Sequence, residues 1–336
     1  MTTDSPEPVT SHRSVSSSPP EAPPTHATAF GPASIGNVAV GYDVLGCAFE
    51  AVGDRVRVER LPERTVEIRA ITGLPMELPR APEDNTAAVA LVRLIEEREL
   101  DFGFAIGIEK GIPLGSGMGG SAASAVAAIR AASALLDAPL DRAEMLHFAL
   151  QGEAVASGAV HADNVAPSLY GGLVLTRSVD PPDVIPIPVP DALRCVLVRP
   201  DLQIATRDAR AVLPDDVPLQ TAVQQSANLA GLIAGCLQSD FELIGRALRD
   251  VMIEPHRKGL IPAFDAVQQA ALDAGALGCS ISGAGPSLFA WCRAADAKAV
   301  HGAMRQAFDD ADVTAEGWVT AVTATGAHLV DPPDRT

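Results

Sequence analysis

The segment Pro113-Leu-Gly-Ser-Gly-Met-Gly-Gly-Ser-Ala-Ala-Ser124 constrains this chain more than any other. Upstream, Phe102, Phe104, Ile106 and Ile108 alternate with Gly103, Ala105 and Gly107, the period of a strand. Downstream, residues 121–136 are rich in alanine and free of glycine and proline, which predicts a helix. Gly115, Gly117, Gly119 and Gly120 between them allow positive φ and close approach of a ligand to the backbone. A helix that begins just after such a loop offers unpaired N–H groups and a partial positive charge, and so cradles phosphate. Ser121 and Ser124 could add hydroxyls, and a hydroxyl beside a triphosphate is a suitable magnesium ligand. Taken alone, a glycine-rich loop is also often a plain flexible connection. The lysines, Lys110, Lys258 and Lys298, are not placed for a Gly-Lys-Ser/Thr phosphate loop. Nor is there a βαβ unit with an acidic residue about 20 positions on, as dinucleotide sites require.

Two further glycine-dense segments point the same way. One is Gly278-Cys-Ser-Ile-Ser-Gly-Ala-Gly-Pro-Ser287, between short predicted strands. The other runs over residues 30–46 and carries two lone polar groups, Asn37 and Asp43, among small residues. Asp141 followed by Glu144 predicts a capping box opening a helix to about Ser157. Helices are also predicted over 219–238, 241–252, 263–274 and 295–308, and strands over 173–176, 195–198, 279–282, 287–291 and 318–322. The stretch 219–252 reads as core rather than interaction surface. Strands and helices mix without regular βαβ alternation, which predicts an α+β fold. Residues 1–27, mostly Ser, Pro, Thr and acidic residues, read as a disordered tail with no secretory signal.

Composition excludes some functions. A net charge of −17 and a pI near 4.7 argue against nucleic acid as the main partner. They do not exclude ATP, because a local nest of N–H groups and a metal can hold phosphate in an acidic protein. No apolar run of about 18 residues predicts a membrane span. Cys47, Cys195, Cys236, Cys279 and Cys292 fit neither a zinc site nor a disulfide framework, and read as reduced, packed thiols of a cytoplasmic protein.

The three glycine-dense segments, in this order and spacing, resemble the three motifs of the GHMP kinases (galactokinase, homoserine kinase, mevalonate kinase, phosphomevalonate kinase). The finer resemblance is to the homoserine kinase family. It is carried by Val40-Gly-Tyr-Asp-Val-Leu-Gly46, His161-Ala-Asp-Asn-Val-Ala-Pro167, Thr206-Arg-Asp-Ala-Arg-Ala-Val-Leu-Pro214 and Glu254-Pro-His-Arg-Lys-Gly-Leu-Ile-Pro262. It implies a ribosomal-protein-S5-like N-terminal half (28–180, ATP-binding) and a ferredoxin-like C-terminal half (181–330). It also implies ATP-dependent phosphorylation of the L-homoserine hydroxyl in threonine biosynthesis, with magnesium, in a homodimer.

The resemblance assigns roles residue by residue. Pro113, Leu114, Gly115, Ser116, Gly117, Met118, Gly119, Gly120, Ser121, Ala122 and Ala123 would hold the phosphates, with Asn85 near adenine. Ser121 and Glu153 would bind magnesium. Asp43 would bind the ammonium of homoserine, and Arg210 and Arg257 its carboxylate. Asn37 and Asn164 would orient the reacting end, with Thr206 near the transferred group. An amide at position 164 cannot take up a proton at neutral pH. Catalysis would then rest on positioning and electrostatics, with the neighbouring Asp163 left open as a base. Gly120 departs from the family's usual serine and removes a hydroxyl from the loop. Without the resemblance, Glu153, Arg210 and Arg257 read as surface charges and His161 as structural. A mevalonate- or sugar-type kinase and a non-catalytic homologue are the competing readings.

Overall fold

The computed structural model describes residues 24–75, 78–157 and 161–331. Among the described residues the larger sheet has seven strands in the order β11-β1-β2-β4-β3, with β5 on β2 and β6 on β5. These are β1 (His26–Gly36), β2 (Leu45–Leu61), β3 (Val66–Gly73), β4 (Gly103–Lys110), β5 (Leu173–Val179), β6 (Pro182–Ile187) and β11 (His328–Leu329). The 17-residue β2 is its spine: its second half pairs with β4 and its first three residues with β5. A register shift between Pro32 and Ala33 marks an irregularity in the β1–β2 ladder.

Helices α1 (Thr86–Glu97), α2 (Gly120–Ser133), α3 (Arg142–Ser157) and α4 (Ala162–Tyr170) pack together, and all four also meet this sheet. Every residue of α2 from Ala122 to Ala128 is buried. Alanine explains how: with no bulk beyond Cβ, it lets the helix lie close on the sheet without losing side-chain entropy. At Gly31 on β1 a Cβ would come within 2.3 Å of the Ala123 carbonyl oxygen. A chain poor in aromatics therefore builds its N-terminal core by close approach. The expected capping box opens α3, with reciprocal bonds between Asp141 and Glu144, each 2.9 Å.

The smaller sheet has four antiparallel strands in the order β10-β7-β9-β8. They are β7 (Leu193–Pro200), β8 (Ala276–Ile281), β9 (Leu288–Arg293) and β10 (Ala315–Ala321), with α9 (Phe264–Asp273) and α10 (Ala297–Asp309) packed beside them. Counted within this unit the order is 4-1-3-2, the ferredoxin-like arrangement expected. Between β7 and β8 lie α5 (Thr206–Ala211), α6 (Leu219–Gln238), α7 (Phe241–Ala247) and α8 (Glu254–Arg257). An apolar cluster joins the two sheets, with Ile35, Phe49 and Met118 from one side meeting Leu197, Phe289 and Trp291 from the other.

Four expectations change. The boundary at 180/181 falls inside the β5–β6 hairpin, and β11 returns to the first sheet, so the halves interlock. His26 and Ala27, read as tail, already belong to β1, and residues 1–23 lie outside the described residues. The helix predicted to Met252 stops at Ala247, because the Asp250 carboxylate captures the N–H groups of Met252 and Ile253 in a tight turn. The stretch read as core is half surface: α6 buries Gln225, Asn228 and Leu232 but leaves Leu219 80 % and Val223 61 % exposed. The five cysteines are buried and unbonded to one another. No helix among the described residues is long and apolar enough to cross a membrane.

Candidate active site

A cleft of about 1040 Å³, counted with its open mouth, lies between the loop after β4 and the segments that carry Asp43, Arg210 and Arg257. Its first wall is backbone. Gly115, Gly117 and Gly119 take φ of 59°, 74° and 67°. At Gly119 a Cβ would also come within 2.1 Å of Ser34 Oγ, and at Gly117 within 2.5 Å of the Ser282 carbonyl oxygen, so space as well as conformation demands glycine. Gly119 is the N-cap of α2 and supplies no side-chain cap, which leaves the helix's first N–H groups to face a ligand.

A buried polar cluster supports this wall from behind. Lys110 Nζ is paired with the Asp54 carboxylate and donates to Gly120 O and Ser124 Oγ, both at 2.9 Å. Asp54 also accepts from Gly111 N at 3.0 Å and Ile112 N at 3.2 Å. Neither charge is left unpaired, which is the condition for burying them at tolerable cost. Ser124, read as a possible phosphate hydroxyl, instead donates to Asp54 at 2.6 Å and is buried. Ser121 does face the cleft and donates to Glu153 Oε1 at 2.9 Å. Burial pushes the Glu153 carboxyl up to about 7, against the pull of the Ser121 hydroxyl.

The second wall is made of side chains on a strained turn. Asn37, Val38 and Ala39 follow one another at φ of 67°, 41° and 60°, and Gly41 N closes a left-handed turn on Asn37 O at 2.8 Å. Such a run is costly for residues with a Cβ, most of all for β-branched valine. It is held by the Asn37 amide, which donates to Gly283 O at 3.0 Å and accepts from Asp43 N at 3.0 Å. The turn projects Tyr42 and Asp43 into the cleft. Arg210 Nη2 meets Asp43 Oδ1 at 2.9 Å, and its Nη1 donates to Tyr42 Oη at 2.7 Å. Arg257, only 3 % exposed, donates to Ala209 O at 2.9 Å and Gly283 O at 3.1 Å. Both guanidinium groups lie over the Tyr42 ring, at 5.6 and 5.4 Å from its centre. Two cations and one acid thus share a single patch beside the glycine-rich loop.

At the start of α4 three residues face the same space. His161 Nδ1 is 3.5 Å from Asp43 Oδ2, and burial lowers its pKa against the pull of Asp43. Asn164 Oδ1 accepts from Ser34 Oγ at 2.9 Å. Asp163 lines the cleft although it is only 4 % exposed, and burial, reinforced by Asp43, pushes its carboxyl up to about 7. Gly36 makes room for this pair, since a Cβ there would sit 2.4 Å from Asp163 Oδ2. Thr206 opens α5 at the rim.

The structure brings nearly all the expected residues to one cleft, from Asn37 and Asp43 through the loop 113–121 to Glu153, Asn164, Thr206, Arg210 and Arg257. Three stand apart. Ala122 and Ala123 are buried under the loop, and Asn85 caps α1, accepting from Ala87 N and Ala88 N while donating to Pro79 O. Tyr42, Asp54, Lys110 and Gly283 were missed. Tyr42 and Gly283 lie inside motifs quoted above, which was a usable signal, whereas the Asp54–Lys110 pair spans 56 positions and leaves none.

Known proteins resemble this chain along most of its length. The profile for the GHMP kinases N terminal domain matches residues 85–172, and that for the GHMP kinases C terminal matches residues 232–310. A homoserine kinase of Xylella fastidiosa is 51 % identical over 311 residues, covering 92 % of this chain and 96 % of its own. One from Chlorobium phaeobacteroides is 46 % identical, covering 90 % and 98 %. The crystal structure of homoserine kinase from Cytophaga hutchinsonii superposes with a TM-score of 0.89 at 43 % identity, over 92 % of this chain and 99 % of that one. With both domain profiles matched in order and relatives this similar along nearly its whole length, the chain belongs to the GHMP kinases, in the homoserine kinase family.

Proposed function

We propose that this protein transfers the terminal phosphoryl group of ATP to the side-chain hydroxyl of L-homoserine, giving O-phospho-L-homoserine for threonine synthesis. The observation that carries the acceptor assignment is the patch of Asp43, Arg210 and Arg257 around Tyr42, one step from the glycine loop. An α-amino acid presents an ammonium and a planar carboxylate, which an acid and guanidinium forks complement. Mevalonate or a sugar, lacking the ammonium, would offer Asp43 no cation beyond the Arg210 it already holds.

On this reading the backbone of 113–121 holds the phosphates and the N-terminus of α2 faces their charge. Asn164, fixed by Ser34, orients the acceptor hydroxyl, with Thr206 beside the group in transit. Phosphoryl transfer needs chiefly alignment and charge stabilisation, so these residues suffice without a strong base. Ser121 and Glu153 are hard oxygen donors side by side at the mouth of the loop, and they fit magnesium. Among the described residues no group of three or more His, Cys, Asp or Glu is placed to hold a metal. Magnesium, which keeps phosphate oxygens and water as ligands, is compatible with so few, and when bound would neutralise charge on the phosphates. The outer face of α6, 20 residues without a charge, supports a homodimer, and buried thiols suit a cytoplasmic setting.

ADP release from magnesium-ATP, with L-homoserine offered beside L-serine, L-threonine, mevalonate and galactose, tests the assignment. Selective turnover of L-homoserine, lost on adding EDTA, is expected. Turnover of mevalonate or galactose instead would sink the substrate, and ATP binding with no turnover would point to a non-catalytic homologue.

A further inference from the structure

We infer that Gln225 and Asp250, neither of which lines the cleft, are positioning residues that set the spacing between the acid and cation ends of the acceptor patch; this rests on the amino-acid acceptor proposed above. Asp250 is a buried carboxylate with no cation within ion-pair distance among the described residues. Its Oδ1 accepts from Met252 N at 2.8 Å, Ile253 N at 3.0 Å and Gln225 Nε2 at 3.0 Å, and its Oδ2 accepts from Glu254 N at 2.8 Å. These bonds shape the turn that leads into α8, whose last residue is Arg257.

Gln225 projects from α6 and is equally buried. Besides Asp250, its Nε2 donates to Val40 O at 3.2 Å, and its Oε1 accepts from Val251 N at 3.0 Å. Val40 follows the three left-handed residues of the turn that presents Tyr42 and Asp43. One side chain therefore ties together two segments far apart in sequence. One delivers the acid of the acceptor patch and the other its most buried arginine. Neither residue bonds the glycine loop. A buried charge in a helix-to-helix turn has a cost that apolar packing would avoid, as Leu232 does one helix turn pair further along α6. What the polar bridge adds is direction: hydrogen bonds fix an orientation that packing alone leaves loose.

The test compares steady-state kinetics of wild type, Gln225→Met, Asp250→Ala and Asp250→Asn in the full chain. Gln225→Met keeps the volume and deletes the bridge. Leu232→Ala serves as a control that loosens the same helix without touching it. Misplacing a clamp by even an ångström is costly, so KM for the acceptor should rise about 10- to 100-fold in Gln225→Met and Asp250→Ala. KM for ATP should stay within about twofold, because the phosphate wall is untouched. Asp250→Asn keeps one acceptor oxygen and should recover much of the loss. Leu232→Ala should lower Tm without splitting the two KM values. If both KM values move together, or Leu232→Ala gives the same split, the residues are merely structural and the inference fails. The acceptor used is whichever the wild type turns over, so a wrong substrate assignment shows in the wild type and not in the variants. A crystal structure of Gln225→Met gives the answer without turnover: Arg257 shifted relative to Tyr42 supports the bridge, and unchanged positions overturn it.

Discussion

The wall of the cleft proposed to hold phosphate is backbone laid over a saturated ion pair, whereas the wall proposed to hold the acceptor is side chains carried on a strained turn. Asp54 and Lys110 face each other and spend their remaining capacity on the loop's own groups, so that wall is complete before any ligand arrives. Asp43 and Arg210 also face each other, but both remain about a third exposed and lie in the cleft itself. An aspartate paired with a basic side chain is thus a buried fixture in one place, with lysine, and a half-open pair in the other, with arginine. Burial makes the difference: a charge shut off from water must find its partner within the protein, and one at a cleft can exchange partners with a ligand.

If the walls are separable, substitutions should divide by ligand. The largest effect is expected from Arg257→Ala, which removes a buried guanidinium and should lower kcat/KM for L-homoserine by about 10³. KM for ATP should move by no more than about twofold, and an equal rise in both would show that the walls are one unit. Gly119→Ala attacks the other wall through both φ and the close approach to Ser34 Oγ. Here KM for ATP should rise and kcat fall, about 100-fold together, a loss of a few kcal/mol in line with strain at such a position. Asp163→Asn sits where the walls meet. With positioning as the source of rate, kcat should fall by less than about tenfold, and a fall of 10²–10⁴ would assign Asp163 as general base.

A pH series sharpens the contrast without mutation. Glu153 and Asp163 have folded pKa values raised to about 7, above those of carboxylates in an unfolded chain. Their neutral forms suit the ligand-free fold, so the stability they contribute is complete near pH 4 and is lost as pH rises through about 7. Tm of the ligand-free protein should therefore drop by a few degrees between pH 5.5 and 8 relative to Glu153→Gln, in which the slope should flatten; pH values here are about those set by the carboxylate range. The smallest change is expected from Gly120→Ser. A Cβ there meets Ile112, with Cγ2 at 3.1 Å and Cβ at 3.4 Å, so a slight adjustment admits it and KM for ATP should shift by less than about threefold.

How far the sequence reached differs between the walls too. The loop 113–121 could be read directly, because strand period, glycines and an alanine helix sit in one continuous stretch. The clamp could be named only through resemblance: Asp43, Arg210 and Arg257 are separated by 167 positions in one pair, and nothing local says that they meet. Asn85 differs again: an asparagine before a helix is first of all a cap, and its side chain is spent on α1. Helix α7 ends early for a reason invisible to periodicity, a carboxylate that competes for the backbone. Long-range polar bonds, unlike apolar repeats, have no period to read.

The return of the chain to its first sheet has a mechanical consequence. β11 runs antiparallel to β1, with Ala29 opposite Leu329 and Val330 N bonded to Thr28 O at 2.9 Å, so both strands leave this short ladder on the same side. Tension applied between the two ends would load the outermost rung alone and peel the pair like a zipper, instead of shearing all rungs at once. The tail strand would detach at low force while β1 stayed clamped along β2, and both walls of the cleft would be left standing.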